Sequence, residues 1–500
     1  MGQHRSAAWE PSVRWTLALL TGIAFLLFAY IQQGTPAFIG TDAYYHVKLA
    51  ERMLETPITA WPVSFPWLPR TVLSESRFSD HHFLFHVALI PFVHFGGLLA
   101  TKWAAVLFAT TVFVAFQLLV PPGSTAVRIY TSVAFFLLSP AFLYRMSMVR
   151  AQSLSLALLL VLVWALLRKR HFLVGGLTFL YVWLYNAFPL VLILLACYTA
   201  ALWIEARTWD RRAFVAIGAG LLLGILVNPY FPQNVIFLFH HLIDKFQIGG
   251  FAVRVGREWY PYGAKAFLVH LGPSVLLLAG AVAMASRCRS RLDAVVGTLL
   301  LLALVTGVMA FRSRRFVELF PVFAVLSSAW MLQQCALTGT RTERASVIPV
   351  VTSLLLLSLL AWKSVEVARS EASDAQPYNR YRTSAEWLAR HSTAGELVIT
   401  ADWDDFPRLF HFNHHNRYLA GLDPYFLYAA DPVGFKLWKA ATSGSLKETP
   451  GAALARRFES RWLFLDRKHE RFRKALAKDP NARLAFDGGD SYVYEVRVAR

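Results

Sequence analysis

From Trp15 to about residue 364 the chain returns again and again to apolar runs of 16–20 residues, close to what an α-helix needs to cross about 30 Å of hydrocarbon. With 56% hydrophobic and only 16% charged residues over 500 positions, this repetition sets the fold class: an α-helical polytopic membrane protein of about 11–13 spans. The spans read near 15–31, 102–120, 126–142, 152–168, 171–187, 188–204, 213–228, 267–286, 293–311, 316–334 and 346–364. His82–Phe95 is short for a crossing and carries Pro91 and three histidines, so it reads as a re-entrant or surface helix. The first run, Trp15–Tyr30, leads into Gln32-Gln33-Gly34 without a small-x-small cleavage site, which fits a retained span. Cys197, Cys288 and Cys335 fall in spans or basic loops, so no disulfide framework is indicated.

The net charge of +19 could suggest nucleic acid, but its placement argues for a membrane. The excess collects in short loops at Arg168-Lys169-Arg170, at Arg207, Arg211 and Arg212, at Arg287, Arg289 and Arg291, and at Arg341 and Arg344. That is the positive-inside pattern of cytoplasmic loops. It implies a multi-pass protein of the plasma (inner) membrane with a cytoplasmic N-terminus. Residues 31–101, 229–266 and everything beyond about 365 then lie outside. Residues 1–364 form the membrane domain, and 365–500 change character into an extracytoplasmic α/β domain. There Leu397–Thr400, Trp462–Leu465 and Tyr492–Val496 read as strands, and Thr383–His391 and Lys468–Ala477 as helices. Gly488-Gly489-Asp490 suits a hairpin turn.

Four polar groups fall on the outer side. Asp42, followed by Tyr44, Tyr45, His46 and Lys48, stands just beyond the first span, where a carboxylate is costly without a role. Capping of the helix Tyr44–Leu54 is an alternative role for it. Ser79-Asp80-His81-His82 with His86 offers carboxylate and imidazole, competent divalent-metal ligands, or an N-cap followed by interfacial histidines. Glu258 is a lone acid in the aromatic loop Arg257-Glu258-Trp259-Tyr260-Pro261-Tyr262. Arg312, Arg314 and Arg315 break the positive-inside pattern and suit a phosphate or pyrophosphate clamp. A reversed topology would make them ordinary cytoplasmic arginines. Carboxylates, candidate metal ligands and an anion clamp at membrane level suit group transfer from a lipid-phosphate donor.

On these residues the chain resembles the catalytic subunit of oligosaccharyltransferase, within the GT-C class of integral-membrane glycosyltransferases. Asp42-Ala43-Tyr44-Tyr45-His46-Val47-Lys48 is similar to that family's first-loop motif. The resemblance implies that Asp42 binds a divalent metal, Mn²⁺ or Mg²⁺, and that Asp42, Tyr44 and Tyr45 meet the acceptor. Glu258 stands where the family has a catalytic loop glutamate, and Arg312, Arg314 and Arg315 where it has the arginine that contacts the donor phosphate. Asp402-Trp403-Asp404-Asp405-Phe406 occupies the place of the WWDYG acceptor motif, with Trp403 and Asp404 in register, although a strand-end turn is an alternative. Asn416-Arg417-Tyr418 is also similar to the family.

The implied activity is transfer of a sugar or oligosaccharide from a polyprenyl-phosphate or polyprenyl-pyrophosphate donor to a protein or glycan acceptor. The second-loop acidic motif is missing, since Tyr144-Arg145-Met146-Ser147-Met148-Val149-Arg150-Ala151-Gln152-Ser153 holds no acid. Asp80, His81 or His82 could then complete a metal site with Asp42, or the enzyme works without a metal. A lipid-linked-sugar flippase, or a relative that binds glycolipid without catalysis, would share the spans and arginines. The flippase reading leaves the outer carboxylates without a role, and no paired broken helices at matching positions mark it. Cysteine labelling tests the topology: a cysteine at position 480 should react with an impermeant reagent in intact cells. Reaction only after permeabilisation would place the C-terminal domain inside.

Overall fold

The computed structural model describes residues 11–122, 125–240, 253–288, 292–338, 347–446 and 449–497. In chain order the helices begin with α1 (Pro11–Gln32), α2 (Asp42–Glu55), α3 (Phe83–Leu119), α4 (Thr125–Leu137) and α5 (Pro140–Met146). There follow α6 (Gln152–Leu167), α7 (His171–Leu184), α8 (Leu190–Ala206), α9 (Arg211–Leu226) and α10 (Gln233–Leu238). Next come α11 (Ala264–His270), α12 (Gly272–Arg287), α13 (Ala294–Arg312), α14 (Phe320–Thr338) and α15 (Val347–Ser373). The C-terminal region adds α16 (Arg382–His391), α17 (Phe406–Phe412), α18 (Pro424–Ala430), α19 (Pro432–Thr442), α20 (Pro450–Phe458) and α21 (Glu470–Leu476). Its strands are β1 (Leu397–Thr400), β2 (Arg417–Tyr418), β3 (Trp462–Asp466), β4 (Ala482–Asp487) and β5 (Ser491–Val496).

The chain divides into two compact units, one of residues 1–35, 102–224 and 257–375, the other of residues 36–101, 225–256 and 376–500. The first is a helical membrane unit. Its surface is apolar where a soluble protein would be charged: Leu19, Leu222, Val308 and Leu359 are all more than half exposed. Helices apolar on the outside as well as the inside belong in lipid. Among the described residues, four helices are long and apolar enough to cross unaided: 13–32, 83–119, 294–312 and 351–373. Two bent pairs, α4 with α5 (87°) and α11 with α12 (60°), qualify as broken spans. Helices α6, α7 and α8 are apolar but shorter than a straight crossing. Arg289, Arg291, Arg341 and Arg344 lie outside the described residues.

The α4–α5 bend has a local cause. Ser139 leaves helical geometry, its hydroxyl accepts from the Phe142 N–H, and Pro140 starts the new helix where its missing N–H costs nothing. Helix α3 is continuous by hydrogen bonding but breaks at Gly96-Gly97, where Gly97 takes a φ of +51°. The expected short helix ending at Phe95 and the expected span from 102 are thus separate helices joined by a glycine kink.

The second unit surrounds a five-stranded sheet in the order β2-β1-β3-β5-β4. β1 pairs in parallel with β2 and β3, while β3–β5 and β5–β4 are antiparallel. The strands and helices expected in this region appear within one or two residues of their sequence positions, and the Gly488–Asp490 turn joins β4 to β5. Every residue of β3 is buried, Trp462–Leu465 as an apolar run and Asp466 paired with Arg380 and His469. The unit also takes in residues 36–101, whose helix α2 packs on α17. Within the membrane unit, α7 and α9 touch at glycine: a Cβ on Gly220 would lie 2.5 Å from the Gly175 carbonyl oxygen, whereas one on Gly280 meets nothing within 4 Å. Gly220→Ala should therefore lose on the order of 1–3 kcal/mol in a thermal-melt comparison, and Gly280→Ala should hold or gain slightly. Equal melting of the two variants would contradict the close helix contact.

Candidate functional site

In the membrane unit a charge cluster forms from three distant chain segments. The α4–α5 bend delivers Arg145, whose Nε donates to Glu318 Oε1 at 2.6 Å and whose Nη2 donates to Glu258 Oε2 at 3.1 Å. Arg150, in the turn before α6, donates from Nη1 to the same Glu258 oxygen at 3.4 Å. Arg315 approaches Glu258 Oε1 at 3.6 Å, donates to the Tyr185 hydroxyl at 3.1 Å and lies 4.4 Å over the Trp259 ring. The side chains of Arg145 and Glu318 are only 10% and 11% exposed, so their pairing is what makes burial tolerable. Ser313 holds the two approaching segments in register, its hydroxyl donating to the Glu258 carbonyl while its backbone ends α13.

Burial alone would raise the Glu258 carboxyl, but Arg315, Arg150 and Arg145 outweigh it and hold the group well below the usual carboxylate range. A carboxylate so strongly stabilised is a poor proton acceptor near neutrality. It instead orients guanidinium groups. Of the three arginines expected to clamp phosphate, the structure brings only Arg315 into this cluster. Arg312 ends α13 exposed, and Arg314 donates to the Pro261 carbonyl and lies 5.2 Å over the Tyr262 ring. Arg145 and Arg150 are cluster members that the sequence marked only as the two arginines of the acid-free stretch 144–153, and Glu318 only by its place three residues after Arg315.

In the second unit Asp42 opens α2. It occupies the first turn, and the residue before it, Thr41, takes the capping position without a side-chain hydrogen bond, so Asp42 is not the N-cap. Tyr44 and Tyr45, expected at the acceptor, are 0% and 2% exposed. Tyr44 lies beneath the Arg408 guanidinium at 4.1 Å, and Tyr45 packs among Phe65, Phe406 and Phe410. Neither presents an open face; both anchor the helix that carries Asp42. Asp402 caps the turn Trp403–Asp405, accepting from the Asp404 N–H, and Trp403 packs against the sheet's apolar core. Asp404 keeps a solvent-facing side. Loss of hydration from the surrounding protein, then the charges of Asp42 and Asp402, push its carboxyl up to about 7.

A buried relay lies behind α2. His46 Nδ1 and His86 Nε2 are 2.8 Å apart, and His86 Nδ1 lies 2.7 Å from Asp80 Oδ2. Asp80 Oδ1 accepts from the His82 N–H. A neutral His86 that donates from Nδ1 to Asp80 accepts at Nε2 from His46 Nδ1–H, so the two tautomers are tied together. Both Asp80 oxygens are thus engaged, and His81 stacks on Phe237 at 4.3 Å. Among the described residues no three potential ligands converge on one point. Among the described residues Asp42, Asp80, His81 and His82 are thus not gathered into one ligand group, and the chemistry below is derived from side chains alone.

No protein-family profile matches the chain, and no curated protein matches it by sequence. Solved structures do. The Archaeoglobus fulgidus oligosaccharyltransferase AglB, in complex with an inhibitory peptide and a dolichol-phosphate, aligns over 97% of this chain and 74% of its own, with TM-score 0.65 and 13% identity. ArnT from Cupriavidus metallidurans in the apo state aligns over 97% and 98%, with TM-score 0.58 and 12% identity. ArnT bound to undecaprenyl phosphate aligns over 96% and 97%, with TM-score 0.58 and 13% identity. The chain thus has the GT-C fold that its motifs suggested.

The raised Asp404 carboxyl has a measurable consequence. Its proton is bound more tightly in the folded chain than at the ordinary value of 3.8, so stability should fall as pH rises from about 4 to about 7. Asp404→Asn should remove that fall, its advantage over wild type growing across the window and levelling above it. A difference in melting temperature that is constant with pH would contradict the acidic cluster.

Proposed function

We propose that this chain is a membrane glycosyltransferase that moves a sugar from a polyprenyl-phosphate-type donor to an acceptor at the extracytoplasmic face of the plasma membrane. The observation that carries the reading is the arginine cluster, whose segments run directly into two of the helices that line an apolar cavity. This cavity, about 680 Å³, lies among α4, α12, α14 and α15, with Val127, Tyr130, Leu137, Leu277, Val325 and Leu332 in its wall. α4 leads through the bend to Arg145, and Arg315 and Glu318 immediately precede α14. A ligand with a phosphate head and a long hydrocarbon tail satisfies both features at once. The shared fold with AglB and ArnT, of which structures hold dolichol-phosphate and undecaprenyl phosphate, supports the same class of donor.

In the reaction the acceptor heteroatom forms a bond to the sugar C1 while the C1–O bond to phosphate breaks, its electron pair staying on the phosphate oxygen. Arg315 and Arg150, oriented by Glu258, stabilise the charge that gathers on the departing phosphate. Asp42 orients the acceptor or takes its proton, with Asp404 and Trp403 on the acceptor side. A protein or a glycan would serve as acceptor. The relay through His46, His86 and Asp80 holds α2, and with it Asp42, in place.

Two substitutions test these roles. Arg315→Ala should weaken polyprenyl-phosphate binding by roughly ten- to a hundred-fold, the equivalent of about 1.5–3 kcal/mol for a charged hydrogen bond, while Arg312→Ala changes it little. Asp42→Asn should leave thermal stability near wild type and lower turnover by about 10²–10⁴-fold. Equal small effects at Arg315 and Arg312 would remove the donor-site assignment. Normal turnover in Asp42→Asn would move the acceptor-side carboxylate to Asp404.

A further inference from the structure

Helix α6 opens on a group of buried polar atoms. Ala151 takes the capping position, offers no side-chain acceptor, and receives at its carbonyl the first backbone bond of the helix, from the Ser155 N–H. The N–H groups ahead of Ser155 therefore have no place in the helix's own ladder, and groups of that kind call for a side chain, water or a ligand. Ala151, Gln152 and Ser153 are only 1%, 3% and 1% exposed. Among the described residues Gln152 Oε1 and Ser153 Oγ also have no hydrogen-bond partner. Ser155, further along the same helix, shows the ordinary outcome: its hydroxyl donates to the Tyr181 hydroxyl at 2.9 Å. A chain that buries polar groups unpaired forgoes stability, so their position calls for a use.

Helix geometry brings these groups together. Side chains lean toward the N-terminus of their helix, so at the first two positions of α6 the Gln152 amide and the Ser153 hydroxyl stand beside the orphan N–H groups. The hydroxyl rotates freely, and the amide presents its NH₂ when turned about its last bond. With the backbone N–H groups at the positive end of a 16-residue helix they make a set of donors. That set suits an anionic oxygen, and phosphate is the anion that helix N-termini commonly hold. Arg150, two residues ahead of Gln152, belongs to the guanidinium cluster through its pairing with Glu258. The donors of α6 thus adjoin that cluster in the chain.

We propose that the N-terminus of α6, with Ser153 and Gln152, is a phosphate seat that holds oxygens of the donor headgroup. It stabilises the charge that gathers on the phosphate when the C1–O bond breaks. The proposal rests on the reading of the arginine cluster as the donor headgroup site. Gln152 and Ser153 bind the ligand and transfer no proton.

The test uses the full chain in nanodiscs. Ser153→Ala and Gln152→Leu remove the side-chain donors, and because those groups lack partners without ligand, both variants should melt at or above the wild-type temperature when ligand-free. Each should bind undecaprenyl phosphate about ten-fold more weakly, as expected for a lost hydrogen bond to a charged group. Each should bind undecaprenol, which has the same tail and no phosphate, as wild type does. Amide hydrogen exchange reads the backbone share in the wild type, whether or not a variant folds: undecaprenyl phosphate should slow exchange at residues 152–154, and undecaprenol should not. Inorganic phosphate that slows the same amides extends the seat to the free ion; slowing by the lipid alone assigns it to the headgroup. Undiminished binding of undecaprenyl phosphate by both variants overturns the proposal, and so does exchange at 152–154 that this lipid leaves unchanged. Arg315→Ala separates the two readings. Weaker binding in Arg315→Ala but not in the α6 variants sinks the phosphate seat and keeps the cluster as headgroup site; unaltered binding in all three sinks both.

Discussion

Arg145 is the residue on which the membrane unit turns. A guanidinium this deeply placed is tolerable only because Glu318 and Glu258 both pair with it, and removing one partner from such a set typically costs about 3–5 kcal/mol. The pairing pins three segments that have no local reason to meet: the end of α5, the loop before α11 and the turn before α14. Trp259 and Tyr185 then have fixed places from which to hold Arg315. One buried cation therefore organises both the packing of this unit and the placement of its neighbouring guanidinium groups.

The same logic changes the meaning of Glu258. As a lone acid in an aromatic loop it invites assignment as a catalytic base. Surrounded by Arg145, Arg150 and Arg315, it is a carboxylate held well below its usual range that orients guanidinium groups. In the proposed reaction the acid–base chemistry falls instead to the second unit, where the surrounding protein and the charges of Asp42 and Asp402 raise the carboxyl of the exposed Asp404. Two groups of carboxylates, one pushed down by arginines and one pushed up by lost hydration and by other carboxylates, suit two different tasks.

The fold was largely legible in the sequence because hydropathy is a local property: apolar runs, basic loops and the change of character after residue 365 each announce themselves within a short window. The strands β1, β3 and β5 were legible for the same reason. The glycine break in α3 was visible only as a short helix that did not fit a span. The site was legible in part. Asp42, Glu258 and Arg315 stand out as charges among aromatics, but their partners do not. Arg145 meets Glu258 and Glu318 across 113 and 173 residues, and His46 meets His86 across 40, separations at which sequence carries no pairing signal. The burial of Tyr44 and Tyr45 escaped for a related reason: α17, which covers them, comes from the far end of the chain.

The central claim is that this molecule breaks a bond and does not merely carry a lipid. The purified chain in liposomes, supplied with polyprenyl-phosphate sugar labelled in the sugar and with a crude acceptor fraction, decides the matter. Label should leave the lipid and appear on the acceptor, with unlabelled polyprenyl phosphate released in equal amount. Label that crosses the bilayer still attached to its lipid, with no polyprenyl phosphate released, would contradict the account and identify a transporter.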